Sequence, residues 1–265
     1  MQMKRLAAAM LAALLLCGCT QLPLPTEPPE TLPPSPYTAE DYVYEGEYLT
    51  CTAGSTVMGI DVSSHQGTID WQQVAASGVE FVFIRLGNRG YESGKLNADA
   101  YALQNLAGAK AVGLKVGAYI FSQAVSVAEA REEAAFALDI LGGIELDLPL
   151  VFDWEYVSAE ARTADMDART LTEITKAFCR DVELMGYESM VYFNSSQARD
   201  LLHLEELQAY SWWLAMYDIT GEFPCKVDLW QYTNAGSIPG IQGNVDINLM
   251  FTDYGLGAQV FGRMD

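Results

Sequence analysis

From residue 58 onward, short apolar segments alternate along the chain with longer amphipathic segments. This pattern is typical of parallel strands joined by helices, because a strand covered on both faces is apolar throughout whereas its connecting helix is apolar on one face. Gly78, Gly113, Gly142 and Gly186 follow the amphipathic segments as suitable C-terminal caps. The predicted strands are residues 58–62, 81–86, 115–121, 148–154, 190–193, 212–216, 227–232 and 245–248, and the predicted helices are 71–76, 99–112, 127–141 and 168–185.

The order of these segments distinguishes between two kinds of α/β architecture. They begin as βα units and finish almost entirely as strands, which favours a closed or nearly closed barrel of irregular type. An open doubly wound sheet is the alternative, and it would carry a glycine-rich phosphate turn after the first strand. Residues 61–67 read DVSSHQG and contain no such turn, so a dinucleotide cofactor is disfavoured.

The charge and histidine content narrow the chemistry that the chain can perform. Its 35 acidic residues against 15 lysines and arginines give a net charge of −20 at pH 7, which argues against nucleic acid as a partner. Two histidines are too few for the usual zinc or non-haem iron sites, so we expect no metal and no cofactor. Catalysis in this chain must therefore depend mainly on carboxylates.

The start of the chain has the features of an exported lipoprotein. Lys4 and Arg5 precede an uncharged run at residues 6–16, followed by Cys17, Gly18 and Cys19. The run is about half of the roughly 20 residues that a membrane-spanning helix needs. We therefore expect residues 1–18 to be a signal peptide and Cys19 to carry a lipid anchor, which places the protein on the outer face of the cell membrane. An ordinary secretory signal is the alternative.

Composition divides the remainder into three parts. Residues 19–36 hold seven of the ten prolines and are predicted to be an extended linker. Residues 37–57 are predicted to be a small N-terminal β extension, and residues 58–265 to be the barrel. Cys179 falls in a helical pattern and should be a buried free thiol, whereas the sequence leaves open whether Cys51 and Cys225 form a disulfide.

Four acidic residues, Asp61, Asp153, Glu155 and Asp246, come directly after apolar stretches at predicted strands. Barrels of this kind hold their sites at the carboxyl ends of the strands. Asp153 and Glu155 are two positions apart, so their side chains point the same way with Cα atoms roughly 7 Å apart. Close carboxylates repel, and the more buried one keeps its proton to higher pH, which yields the acid and base needed to cleave a glycosidic bond.

Several motifs occur around these acids in a specific order. They are GIDVSSHQG at 59–67, IDW at 69–71, FVFIR at 81–85, VGAY at 116–119, FDWE at 152–155, LWQY at 229–232 and NVDIN at 244–248. Over residues 58 to about 254 the sequence resembles the glycoside hydrolase family 25 lysozymes, the Chalaropsis-type muramidases. The resemblance implies an irregular TIM-like barrel of about five βα units followed by three mainly β strands. It also implies hydrolysis of the β-1,4 bond between N-acetylmuramic acid and N-acetylglucosamine in peptidoglycan.

The resemblance further implies a role for each of the four acids. Glu155 corresponds to the proton donor, and Asp153 to the acid that orients the 2-acetamido group of the substrate as it attacks the anomeric carbon. Asp61 and Asp246 correspond to acids that position the substrate and tune Glu155. The resemblance also implies Tyr119, Tyr192 and Trp213 as aromatic residues of the groove, and Trp230 and Gln231 are also predicted to bind substrate. The expected partner is the glycan strand of peptidoglycan, and we expect the protein to be a monomer.

Two other interpretations share part of this pattern. Chitinases of the other substrate-assisted barrel family also have an Asp-x-Glu pair, but they need two further aspartates where this chain has Leu148 and Val151. A non-catalytic peptidoglycan-binding lipoprotein could use the same groove. Sugar binding alone would not require a matched acid pair, so the sequence favours the enzyme.

Overall fold

The computed structural model describes residues 32–218, residue 223 and residues 225–262. The predicted signal peptide at residues 1–18, the predicted lipidation site Cys19 and the first part of the predicted linker lie outside the described residues. Within the described ranges, no helix is both long enough and apolar enough to cross a membrane.

The described part of the chain contains eleven strands, six α-helices and three short 3-10 helices. The strands are β1 Tyr42–Glu45, β2 Tyr48–Cys51, β3 Thr56–Val62, β4 Phe81–Arg89, β5 Leu96–Ala98, β6 Lys115–Ser122, β7 Leu150–Trp154, β8 Ser189–Asn194, β9 Ser211–Ala215, β10 Leu229–Gly236 and β11 Val245–Phe251. The helices are α1 Trp71–Ala76, α2 Ala102–Ala111, α3 Val127–Leu141, α4 Ala168–Leu184, α5 Ser195–Asp200 and α6 Gly255–Phe261. The 3-10 helices are Ala39–Asp41, Ser64–Gln66 and Leu204–Glu206.

Eight of the strands close into a barrel. Their order is β3-β11-β10-β9-β8-β7-β6-β4, and β4 pairs in parallel with β3 to complete the circle. All neighbours are parallel except β11, which runs antiparallel to both β10 and β3. Five βα units precede β9, β10 and β11, so the prediction of an irregular TIM-like barrel is confirmed. Strand β5 lies outside the circle, antiparallel to the end of β4.

The helices begin and end at residues whose chemistry suits those positions. The side chains of Asp70, Ser126 and Asp167 accept hydrogen bonds from backbone N–H groups in the first turns of α1, α3 and α4. Each supplies an acceptor for donors that a helix leaves unpaired at its start. Gly142 adopts the left-handed conformation, with φ 55°, and ends α3 as the sequence predicts.

Apolar side chains fill the amino-terminal half of the barrel interior. Phe81 and Phe83 occupy it from β4, and glycines on the neighbouring strands make room for their rings. A Cβ atom on Gly59 would lie 2.2 Å from the Phe81 ring, and one on Gly117 would lie 2.3 Å from the Phe83 ring. Leu256 of α6 belongs to the same apolar cluster and closes this end. The interior is therefore open only at the carboxyl ends of the parallel strands.

The N-terminal segment covers the outer face of β10 and β11, where the barrel has no helix. Strands β1 and β2 form an antiparallel hairpin, and the Tyr42 ring meets the Trp230 ring edge-on with centroids 4.9 Å apart. Tyr37 stacks on Phe251 at 5.3 Å. The hydroxyl of Tyr232 accepts a hydrogen bond from the Leu49 backbone N–H at 3.3 Å. These contacts bury aromatic surface that helices bury elsewhere around the barrel.

The last residues of the predicted linker contribute to this packing. The Lys226 N–H donates to the Pro33 carbonyl at 2.8 Å, and Pro34 forms an isolated antiparallel bridge with Cys225. Proline lacks the N–H group but keeps a carbonyl acceptor, and it can therefore pair at a sheet edge.

The described cysteines, Cys51, Cys179 and Cys225, are all buried free thiols. The structure therefore answers the question that the sequence left open, because Cys51 and Cys225 are unpaired. Burial raises the pKa of the Cys179 thiol to about 12, so this side chain behaves as a small apolar group in α4.

Candidate active site

The strand register brings the four predicted acids together at the open end of the barrel. Antiparallel pairing of β11 with β3 places Asp246 directly opposite Asp61. Asp153 lies near the end of β7, and Glu155 follows that strand directly. All four line one cavity of about 320 Å³. The rest of its lining consists of polar and aromatic side chains: Ser63, His65, Gln66, Arg85, Tyr119, Phe121, Tyr192, Trp213, Tyr217, Gln231 and Asn234.

Asp61 is the most fully hydrogen-bonded of the four carboxyl groups. Its Oδ2 atom accepts from Gln231 Nε2 and from Asn248 Nδ2, each at 2.9 Å. Asp61 is also hydrogen-bonded to the side chain of Asp246. Burial raises the pKa of Asp61, and these hydrogen bonds act in the opposite direction. Burial and the neighbouring Asp61 raise the pKa of Asp246 to about 8.

Asp153 lies beside a cation. It is 6% exposed, and its Oδ1 atom has no hydrogen-bond partner among the described residues. Burial and the charge of Glu155 raise the pKa of Asp153, whereas the Arg85 guanidinium lowers it. Arg85 is held in place by Asp99, with N···O 2.8 Å, and by the Ser64 hydroxyl at 3.1 Å. Arg85 therefore favours the ionised form of Asp153.

Glu155 has a different environment. Its backbone carbonyl accepts from Gln123 Nε2 at 2.7 Å, which holds the chain just past β7. Its carboxyl group has no hydrogen bond within the described part of the chain. Burial, followed by the charge of Asp61, raises the pKa of Glu155 to about 7. A carboxyl group that keeps its proton near neutral pH while facing a cavity can act as a general acid.

The predicted groove aromatics Tyr119, Tyr192 and Trp213 form the floor beneath the acids. The Trp213 ring meets Tyr192 and Tyr119 edge-on, with centroids 5.2 Å and 6.5 Å apart. All three are nearly buried, and each presents only an edge to the cavity. Tyr217 stands at the rim with half of its surface exposed, and its hydroxyl donates to Gln231 Oε1 at 2.9 Å.

Trp230 does not line the cavity, so the structure gives no support to its predicted role in binding substrate. Its side chain is 3% exposed on the outer face of β10, and its Nε1–H donates to the Met216 carbonyl at 2.7 Å. Successive side chains of a strand point to opposite faces, so the neighbouring Gln231 points inward while Trp230 and Tyr232 point outward. The tryptophan packs against the N-terminal hairpin instead.

Trp230→Phe should test this position directly. The variant loses one hydrogen bond and part of a buried ring, which should lower the free energy of unfolding by about 1–3 kcal/mol. Because the residue faces away from the cavity, KM for peptidoglycan should stay unchanged. Denaturant unfolding and steady-state kinetics measure the two effects, and a raised KM with unchanged stability would place Trp230 in substrate binding after all.

Several residues of the site were not identified from the sequence. Arg85 follows Phe81 and Phe83 at two-residue spacing on β4, and this alternation could have placed it inside the barrel. Asn248 stands two positions after Asp246 on β11 and could have been found in the same way. Tyr217 lies after β9 in a segment without a periodic pattern, so no sequence signal indicated it.

Groups of three or more histidine, cysteine, aspartate or glutamate side chains arranged to hold a metal ion are absent from the part of the chain that the structure describes. The acids of the cavity instead lie against amides, tyrosines and one arginine. Such an arrangement can supply and accept protons in a partly buried cavity.

Known proteins resemble this chain in sequence and in structure. The family described as glycosyl hydrolases family 25 matches residues 60–241. The autolytic lysozyme of Clostridium acetobutylicum is 26% identical over 191 residues, which make up 72% of this chain and 54% of that protein. The modular autolysin LytC from Streptococcus pneumoniae superimposes with a TM-score of 0.64 at 27% identity, over 74% of this chain and 47% of that chain. A family 25 glycosyl hydrolase from Bacillus anthracis, at 21% identity, shares the fold with a TM-score of 0.66 over 80% and 95% of the two chains.

The extent of these matches decides what they establish. This chain spans about half the length of the C. acetobutylicum lysozyme and of LytC. The family match nevertheless covers more than half of the chain and includes Asp61, Asp153 and Glu155. By sequence, by fold and by the carboxylates at the open end of its barrel, the chain belongs to glycosyl hydrolases family 25.

Proposed function

We propose that this protein is a muramidase that hydrolyses the β-1,4 bond between N-acetylmuramic acid and N-acetylglucosamine in peptidoglycan. The observation that carries the proposal is the placing of Glu155 and Asp153, with Asp61 and Asp246, around one cavity at the open end of the barrel. Burial raises the pKa of Glu155, which suits it to donate a proton. Two relatives give further support, since one is named an autolytic lysozyme and the LytC autolysin has been solved with a synthetic peptidoglycan ligand.

In the proposed reaction Glu155 donates its proton to the leaving glycosidic oxygen. Asp153 accepts a hydrogen bond from the N–H of the 2-acetamido group through Oδ1, the atom that has no partner among the described residues. The acetamido oxygen then attacks the anomeric carbon as the bond to the leaving oxygen breaks. Water opens the resulting oxazolinium ring while Glu155 takes back a proton, which leaves N-acetylmuramic acid at the new reducing end. No protein nucleophile is needed.

The environments of the two acids suit these different tasks. Arg85 favours the ionised form of Asp153, as an acceptor requires. No cation contributes to the pKa of Glu155, which burial and Asp61 raise. Burial raises the pKa of both acids, so the pair shares the available proton. The proposed reaction uses the state in which Glu155 holds that proton and Asp153 is in the ionised form that Arg85 favours.

Mass spectrometry of the muropeptides released by the full chain tests the proposal. Products that end in a reducing N-acetylmuramic acid are expected. Products with reducing N-acetylglucosamine would show that the barrel cleaves a different bond. Retained binding to cell walls without any release would contradict hydrolysis and favour a non-catalytic peptidoglycan-binding protein.

The same assignment predicts how activity depends on pH and on metal ions. Above pH 7 the rate should fall because Glu155, with a pKa of about 7, loses the proton that it must donate. At low pH the rate should fall again as Asp153 becomes protonated, so the maximum is expected at mildly acidic pH. EDTA should have no effect. A rate that climbs between about pH 7 and pH 9, or activity lost in EDTA and restored by zinc, would contradict this assignment.

A further inference from the structure

Two buried amides connect the acids of the cavity to its aromatic floor. We propose that Asn248 and Gln231 are positioning residues, whose amide groups hold Asp61 as the fixed carboxylate of the site and thereby leave the exchangeable protons on Asp246 and Glu155. This inference rests on the proposed function for its meaning, but the hydrogen bonds behind it are independent of any substrate. It assigns Gln231 a role other than the substrate binding predicted from the sequence.

The orientation of the Asn248 amide follows from a neighbour that can only donate, and the hydroxyls around the Gln231 oxygen fit the same orientation for Gln231. An indole N–H has no acceptor capacity, so the Asn248 atom that lies 2.9 Å from Trp213 Nε1 is the oxygen Oδ1. Burial raises the pKa of the Tyr192 and Tyr217 hydroxyls, which therefore keep their protons. These hydroxyls donate to Gln231 Oε1 at 3.2 Å and 2.9 Å. In Asn248 the NH₂ group is consequently the end that faces Asp61, and Gln231 also directs its NH₂ group at Asp61.

Asp61 therefore receives two N–H donors on one oxygen. With both donors 2.9 Å from Oδ2, that atom acts as an acceptor, which favours the ionised form of Asp61. The hydrogen bond between Asp61 and Asp246 lowers the pKa of Asp61 and raises that of Asp246. The proton between these two carboxyl groups accordingly belongs to Asp246, which donates it to Asp61.

A fixed charge on Asp61 controls the proton on Glu155. Asp61 is the charged group that raises the pKa of Glu155 after burial. If the amides did not hold Asp61 ionised, the pair Asp61 and Asp246 could take up a second proton, and Glu155 would release its own at lower pH. Asn248 and Gln231 thus act on Glu155 indirectly, through the charge of Asp61.

Titratable groups from most of the surrounding elements line the cavity with Glu155. Apart from Asp61, none of them is a charge that raises the pKa of Glu155. They are His65 after β3, Arg85 on β4, Tyr119 on β6, Asp153 on β7, Tyr192 on β8, Tyr217 after β9, and Asp246 on β11. Arg85 is paired with Asp99 and also lowers the pKa of Asp153, but it does not contribute to the pKa of Glu155. The buried tyrosines have raised pKa values and remain neutral.

The test is a carbon NMR titration of carboxyl groups in the substrate-free full chain, with the Glu155 signal assigned from Glu155→Gln. Asn248→Leu and Gln231→Met each remove one donor while keeping the side-chain size. Each should lower the pH midpoint of Glu155 by about half a unit, roughly a threefold loss of proton affinity, and raise that of Asp61. Gln231→Met leaves the indole of Trp213 satisfied, so it provides the test if Asn248→Leu does not fold.

Asn105→Leu is the matched control. Asn105 is a fully buried asparagine on α2, outside the barrel, and neither polar atom of its amide has a partner among the described residues. Its replacement should leave the Glu155 midpoint where it is in the native chain. An unchanged midpoint in both folded site variants would overturn the proposal.

Kinetics on peptidoglycan separate this inference from the proposed function. The site variants should lower kcat and move the alkaline limb of the pH profile to lower pH, with KM nearly unchanged. A raised KM with an unchanged Glu155 midpoint would mean that the amides bind sugar, and the proposal would be wrong. If the two site variants move the Glu155 midpoint as expected but the native protein releases no muropeptide, the role of the amides is supported and the muramidase activity is contradicted.

Discussion

Glu155→Gln is expected to lower kcat for peptidoglycan hydrolysis by about 10²–10⁴-fold with little change in KM. Glutamine keeps the size and polarity of the side chain but has no proton to give to the leaving oxygen. Because the Glu155 carboxyl has no hydrogen-bond partner among the described residues, its replacement should leave the free energy of unfolding nearly unchanged. Muropeptide release and denaturant unfolding measure the two quantities.

Glu160→Gln is the matched control for this substitution. Glu160 lies in the same segment after β7 but is exposed and does not line the cavity, so its amide should support native activity. Full activity of Glu155→Gln would remove Glu155 from the role of general acid. A fall in unfolding free energy that accounts for the lost rate would assign it a structural role instead.

Arg89→Ala is expected to lower the free energy of unfolding by about 3–5 kcal/mol, because it leaves a buried carboxylate without its partner. Arg89 Nε lies 2.7 Å from Glu133 Oε1, and the two side chains are 4% and 0% exposed. The guanidinium also donates to the carbonyls of Gly94 and Glu129, and so connects the end of β4 to α3. Denaturant unfolding of the full chain gives the magnitude.

The loss in Arg89→Ala should grow with pH. Burial already raises the pKa of Glu133 above its ordinary value, despite Arg89, and removal of the guanidinium raises it further. A carboxyl group whose folded-state pKa is raised stabilises the protein at low pH and loses that contribution as pH rises through the folded-state pKa. The difference between variant and native protein should therefore be smaller at about pH 5 than at about pH 8.

Two further variants make this prediction specific. Arg131→Ala removes an exposed arginine from α3, the helix that carries Glu133. The Arg131 guanidinium lies 3.8 Å from the Asp181 carboxylate, and its removal should change the free energy of unfolding by less than about 1 kcal/mol. The double variant Arg89→Met with Glu133→Leu should recover most of the stability lost in Arg89→Ala, since it removes the uncompensated charge. Equal losses in the double and the single variant would show that packing of the arginine, rather than its charge, dominates.

Local sequence patterns predicted the eight barrel strands and the helices α1 to α4, but not β5, α5 or α6. The helices α1 and α3 occupy the residues that the sequence predicts, and Gly142 ends α3 in the left-handed conformation. These features depend on residues close together in the chain, namely caps, glycines and apolar spacing. The outward position of Trp230 depends on two-residue alternation and was also available from the sequence, although Trp230 was predicted to bind substrate.

The sequence by itself determined the order of strands and helices, the position of Asp153 and Glu155 at a strand end, and the family resemblance. Only the tertiary structure decided that Asp246 lies opposite Asp61, that the N-terminal segment covers β10, and that two amides hold Asp61. Asn248 and Gln231 are 187 and 170 positions from Asp61 in the chain. Contacts at such separations depend on the register in which the barrel closes, which arises from the packing of all strands together and has no local sequence signal.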